Sequence, residues 1–279
     1  MSLQLKELFK ETEEKRKKAE TQQVECVSPL LARLYRQWCG KTICIFGESG
    51  MGKTTFAIHL CKTAMKITRK PPLYVALDLN LKEDDFRHEL TEFLGHNAVL
   101  FVEPWALLES VLVKWYDKFM EKYSIVVIDS VSEIWSWIIR REVRRLAWKL
   151  QHADEQKKEE LFRKLAKRLD LKQEFSTYLE IIAARLKEIT NAVKIPAIMI
   201  AHPTTIFDTK NKDPDLKNFW DEVGFRPAYM SKALRRVSNT YLAVLEDTTL
   251  KLIEIRVRGI FPKKLDVIKI PAKEYDYNR

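Results

Sequence analysis

The chain has 279 residues, 46% of them hydrophobic, and a net charge of +10 at pH 7; this suffices for one large α/β domain with additions, or two small ones, and favours polyanionic partners. No apolar run approaches the roughly 18 residues of a membrane span, and the charged N-terminus lacks a signal-peptide pattern, so no membrane association is expected. The cysteines Cys26, Cys39, Cys44 and Cys61 show no C-x-x-C spacing, which argues against a structural zinc and points to a reducing, cytoplasmic setting.

Residues 1–23 are nearly all charged or polar and read as an exposed helix, or as an arm that docks on a neighbouring subunit. A domain over 24–279 follows. Ser28-Pro29 opens a helix, with Ser28 as N-cap and Pro29 in the first turn. Thr42–Phe46 is an apolar run suited to a buried strand. Next comes Gly47-Glu48-Ser49-Gly50-Met51-Gly52-Lys53-Thr54, followed by Thr55 and a helical segment. It has the form G-x-x-x-x-G-K-[ST], the phosphate-binding loop. Three of the chain's seven glycines fall in these eight residues. Such a loop turns backbone N–H groups toward phosphate oxygens, with a helix N-terminus behind them. Lys53 supplies a charge for the β- and γ-phosphates, and Thr54 suits Mg²⁺. The cofactors expected are therefore ATP and Mg²⁺.

Leu73–Leu77 reads as a second strand, 83–94 as a polar helix, and Val99–Val102 as a short strand. Leu107–Tyr123 reads as one amphipathic helix with Leu108, Val111, Leu112, Trp115 and Phe119 on one face. Ile125–Asp129 is a buried parallel strand ending in a carboxylate, where such sheets place their ligands. About 75 residues after the loop, Asp129 fits the second metal-side residue, beside Thr54. A helical, charged stretch spans about 132–192. In it Ile139, Val143, Leu146 and Leu150 form an apolar stripe, with Arg140, Arg141, Arg144 and Arg145 mostly off it. Farther along, Leu161, Leu165 and Leu169 turn inward. Between Arg140 and Lys172 there are twelve basic and six acidic residues. The arginines form either a solvated face or a contact to nucleic acid. Ala197–Ala201 is a further strand, with His202 at its tip. Residues 206–230 are a long polar loop. Thr240–Leu245, Leu250–Val257 and Leu265–Ile270 read as closing strands, the first two as a hairpin.

With these residues in place, the chain resembles the RecA superfamily, which includes RadA-like recombinases, KaiC-like ATPases and the DnaB-type helicase motor. The loop, Ile128-Asp129-Ser130-Val131, the strand ending Ala201-His202-Pro203 and the closing strands carry the resemblance, over about residues 25–272. It implies an α/β fold of RecA type: a mainly parallel sheet, helices on both faces, antiparallel C-terminal strands, and here a basic helical insertion at about 132–192. It implies ATP hydrolysis, head-to-tail assembly into a homo-oligomer with ATP at subunit interfaces, and action on DNA in recombination, repair or replication. His202 stands where the DnaB-like branch senses γ-phosphate. Arg256 and Arg258 stand where a basic pair reaches into a neighbour's nucleotide. Where the family places the water-activating Glu, this chain has Asn80, so hydrolysis is slow, or Asp78 or Glu48 substitutes. The glycine-rich DNA loop of true recombinases is missing, since 203–232 contains only Gly224. Contact to DNA then falls to Arg140, Arg141, Arg144 and Arg145, with Lys210, Lys212 and Lys217. The alternative reading is a KaiC-like regulatory or scaffold ATPase with slow turnover and no DNA dependence. A small-molecule kinase is disfavoured by the lack of a lid segment.

Overall fold

The computed structural model describes residues 28–77, 84–96, 98–152, 157, 160, 170–205, 225–227, 236–257 and 266–272. Outside them lie the N-terminal arm, Cys26, Asp78, Asn80, Leu161, Leu165, Leu169, Lys210, Lys212, Lys217 and Arg258.

Helix α1 (Pro29–Trp38) begins as its capping signal predicts: the Leu31 amide donates to Ser28 Oγ at 3.1 Å, satisfying one orphan donor of the first turn. Four strands, β1 (Thr42–Phe46), β2 (Leu73–Ala76), β4 (Val126–Asp129) and β5 (Ala197–Ala201), are buried along their whole length. Parallel strands covered on both faces need no polar alternation, which is why these segments are unbroken apolar runs. Between them run α2 (Lys53–Thr68), α3 (Asp84–Leu94), β3 (Val99–Phe101), α4 (Pro104–Glu109) and α5 (Asp117–Met120). Among the described residues two long helices, α6 (Glu133–Gln151) and α7 (Asp170–Val193), lie between β4 and β5 in the chain.

Eight strands form one sheet in the order β10-β9-β8-β1-β5-β4-β2-β3. From β8 (Asn239–Glu246) to β3 every pairing is parallel; β9 (Thr249–Val257) and β10 (Val267–Pro271) close it antiparallel. The expected α/β architecture is thus present. Residues along β1 alternate between two apolar layers. Cys44 and Phe46 belong to the layer of Trp115, Ile134, Phe175 and Leu186, while Ile43 and Ile45 belong to that of Trp38, Phe56 and Leu60.

Three expectations need correction. The single helix over 107–123 is broken. After α4 the chain makes a wide π turn at Ser110–Lys114, with the Trp115 amide on the Ser110 carbonyl at 2.9 Å, then leaves the helix at Trp115. Arg185 Nη2 donates to the freed Trp115 carbonyl at 3.0 Å, so the break buries the indole without orphaning its backbone. On α6 the buried stripe is Ile134 and Ile138, with Ile139 only partly covered and Val143 53% exposed; the Leu146 and Leu150 side chains lie outside the described residues. The polar loop over 206–230 also contains structure: its β7 (Phe225–Pro227) pairs antiparallel with β6 (Pro203–Thr205), just before the loop, as a separate ribbon. Three-residue strands bounded by prolines carry no period-2 signal to detect.

Candidate functional site

The loop between β1 and α2 is shaped by its glycines. Gly50 and Gly52 have φ of +80° and +71°, in the left-handed region that other residues enter at a cost. At Gly47 the constraint is space: a Cβ there would meet the Ala243 carbonyl oxygen at 2.5 Å. Strand β8 therefore lies against the first residue of the loop. The Leu245 amide adds a second contact, donating to Met51 Sδ at 3.4 Å.

Lys53 is the first residue of α2 and only 5% exposed. Its ammonium donates to the carbonyls of Gly47 at 2.7 Å and Glu48 at 2.6 Å. The charge is thus drawn back over the loop, beside the N-terminal N–H groups of α2, where anions are favoured. Glu48, Ser49 and Thr55 are exposed.

The next residue ties the loop to β4. Thr54 Oγ1 donates to Asp129 Oδ2 at 2.7 Å. A hydroxyl has one proton and two lone pairs; with its proton committed to Asp129, Thr54 keeps lone pairs for a hard cation. A second hydroxyl meets the same oxygen: Tyr74, from β2, donates to Asp129 Oδ2 at 2.6 Å. Tyr74 was not legible as a site residue, because in sequence it is one more member of an apolar strand. Asp129 is itself held at the strand end, its carbonyl accepting from the Leu77 amide at 2.6 Å.

β5 separates the two halves of this site. It pairs with β1 on one side and β4 on the other, and its Ala201 is level with Phe46. His202 therefore follows β5 at the level where the loop follows β1. Its amide donates to Ser132 Oγ at 2.8 Å.

The residues present fit a magnesium–nucleotide. Gly47–Thr55 would hold the phosphates, Lys53 would neutralise them, and Thr54 with Asp129 would hold the metal. A bound Mg²⁺ would supply charge stabilisation for phosphoryl transfer. Asp78 and Arg258 lie outside the described residues. Arg256 is described in backbone only, paired with Thr240, which is level with Cys44 and so set back along the sheet from the loop.

The arginines of α6 have local partners. Arg141 Nη2 reaches both Glu174 oxygens at 2.9 Å and Glu142 at 3.3 Å, and Tyr178 donates to Glu174 at 2.7 Å. Arg145 pairs with Glu142 at 2.7 Å, and Arg140 approaches Glu133 at 3.9 Å. Arg144 is exposed and makes no ion pair with any described residue. One turn along, Trp148 is 62% exposed, its ring 4.7 Å from that of His152.

Among the described residues no helix is long and apolar enough to cross a membrane. A protein-family model described as an AAA domain matches residues 40–170, just under half the chain. A solved KaiC-like protein from the hyperthermophilic archaeon Pyrococcus horikoshii OT3 is similar over 84% of this chain and 85% of its own, at 14% identity and a TM-score of 0.44. No curated protein matches the chain. The family match spans both the phosphate loop and Asp129, and with their geometry it supports a P-loop ATPase.

Proposed function

We propose that the chain is a magnesium-dependent, RecA-type ATPase that acts on DNA and assembles head to tail, with ATP at subunit interfaces. The observation that carries the ATPase reading is the 2.7 Å bond from Thr54 to Asp129. It brings a phosphate loop and a strand-end carboxylate, 75 residues apart in sequence, into one metal-side pair. His202, between them at the tip of β5, responds to the terminal phosphate. Asp78 or Glu48 takes the part of the water-activating carboxylate.

Set back from the loop along the sheet, Arg256 is of use to a neighbour's nucleotide rather than its own, which supports a role in trans for it and Arg258. Contact to DNA is best supported at Arg144, Trp148 and Lys149, where exposed cations flank an exposed ring. Cations track a phosphate backbone and aromatic rings stack on bases. The pairing of Arg140, Arg141 and Arg145 with carboxylates of the same chain favours the second reading, a regulatory or scaffold ATPase without DNA.

The test is ATP hydrolysis with and without single- and double-stranded DNA, with Lys53→Ala as control. DNA stimulation that the substitution abolishes supports the DNA-dependent ATPase. Slow turnover indifferent to DNA supports the regulatory reading, and turnover unchanged by Lys53→Ala would refute both.

A further inference from the structure

We propose that Tyr74 is a positioning residue of the metal-side pair: its hydroxyl fixes the Asp129 carboxylate so that Asp129 and Thr54 are presented together to the magnesium of a bound nucleotide. The inference rests on the ATPase reading above and adds to it a residue outside both the loop and the Asp129 strand.

Tyr74 is wholly buried, in the apolar layer of Phe56, Leu60 and Leu90. In such a layer a phenylalanine packs at no polar cost, whereas a buried hydroxyl must find a partner. A partner here is the Oδ2 atom of Asp129. By register Tyr74 is level with Val127, and Asp129 is level with Ala76. The phenol therefore reaches about 6.6 Å forward along the sheet, two residues' rise, to arrive at the strand end. A serine or threonine at position 74 lacks that reach.

Two protons, from Thr54 and Tyr74, converge on one carboxylate oxygen. The Thr54 bond comes from the loop side and belongs to a residue that also serves the metal. The Tyr74 bond comes from within the sheet, on a strand hydrogen-bonded to β4 itself. It holds the carboxylate at a fixed rotation whatever the loop does. Groups that orient a metal-side residue in this way commonly change metal affinity by about 10- to 100-fold when removed.

The experiment is a Tyr74→Phe variant assayed three ways: Mn²⁺ binding by electron paramagnetic resonance with a non-hydrolysable ATP analogue present, binding of the analogue in EDTA, and the thermal midpoint. The expected result is Mn²⁺ affinity at least tenfold weaker, with metal-free nucleotide affinity unchanged. In an Asp129→Ala background the same substitution should add no further loss, because the hydroxyl has nothing left to position. Unchanged Mn²⁺ affinity in Y74F would overturn the proposal while leaving the ATPase reading intact. So would a variant that melts far below wild type and loses metal-free binding in step, since the hydroxyl would then serve the fold alone. Failure of the wild-type protein to bind the nucleotide at all would overturn the ATPase reading, and the proposal with it.

Discussion

Gly47 and Tyr74 mark the two extremes of what single residues disclose. The loop motif flags Gly47 from the sequence alone, yet the reason glycine is required there differs from that at Gly50 and Gly52. Those two need a left-handed backbone; Gly47 needs the absence of a Cβ beside Ala243, a residue far along the chain. Gly47→Ala should therefore displace the loop from β8. We expect a stability loss of about 1–3 kcal/mol, the range for overpacking, and a loss of nucleotide affinity of at least tenfold. Denaturant titration and a nucleotide-binding titration check the two parts. Tyr74 is the reverse case. Nothing local distinguishes a tyrosine that packs from one whose hydroxyl serves a carboxylate two strand positions ahead. Its part depends on β2 lying beside β4, a pairing that no local pattern encodes.

At the scale of elements, α6 shows how a helix can be legible while its orientation is not. Its residues allow two apolar stripes, one through Ile139 and Val143 and one through Ile134 and Ile138. Packing against α7 selects the second. The choice turns the Arg141 and Arg145 side chains toward Glu142 and Glu174 and leaves Arg144 and Trp148 outside. Glu142, 7% exposed, has arginines on both sides. The two kinds of arginine should then separate by experiment. Arg141→Met should destabilise the fold by about 1–2 kcal/mol, the scale of charge-assisted hydrogen bonds at a partly exposed site, with little effect on DNA affinity. Arg144→Ala should leave the unfolding midpoint unchanged and weaken single-stranded DNA binding at low salt. Denaturant titration and fluorescence anisotropy, run on both variants, check this. The broken helix at Trp115 teaches the same lesson, since periodicity counts apolar positions but cannot foresee a turn widened to bury one of them.

For the whole molecule, strand type was legible and strand order was not. Unbroken apolar runs alternating with helices imply a parallel sheet, but only long-range pairing decides that β5 enters between β1 and β4 and that β8 joins beside β1. The resulting burial has a consequence for pH. Desolvation pushes the Cys44 thiol from 9.0 up to about 12, and raises Cys61, Tyr35 and Tyr241 in the same direction. Below pH 9.0 the Cys44 thiol is protonated in both folded and unfolded chains, and its contribution to stability is fully present. Between there and about 12 the unfolded chain releases the proton and the folded chain does not, so stability falls by up to about 1.4 kcal/mol per pH unit for each such group. Urea midpoints should thus be level from pH 7 to 8.5 and drop steeply by pH 10.5. Cys44→Ala should flatten that slope, and alkylating reagents should reach Cys44 and Cys61 only after unfolding.

The insertion of β5 also works as a gauge block. The loop and Asp129 stand on strands that never touch, and their separation is two ladder spacings, about 9.6 Å. That width is set by backbone hydrogen bonds rather than by the fit of side chains, so it comes in whole steps and does not drift. Substitutions that loosen the helices around the sheet can lower the protein's melting point, yet they leave the spacing between the ends of β1 and β4 at its original measure.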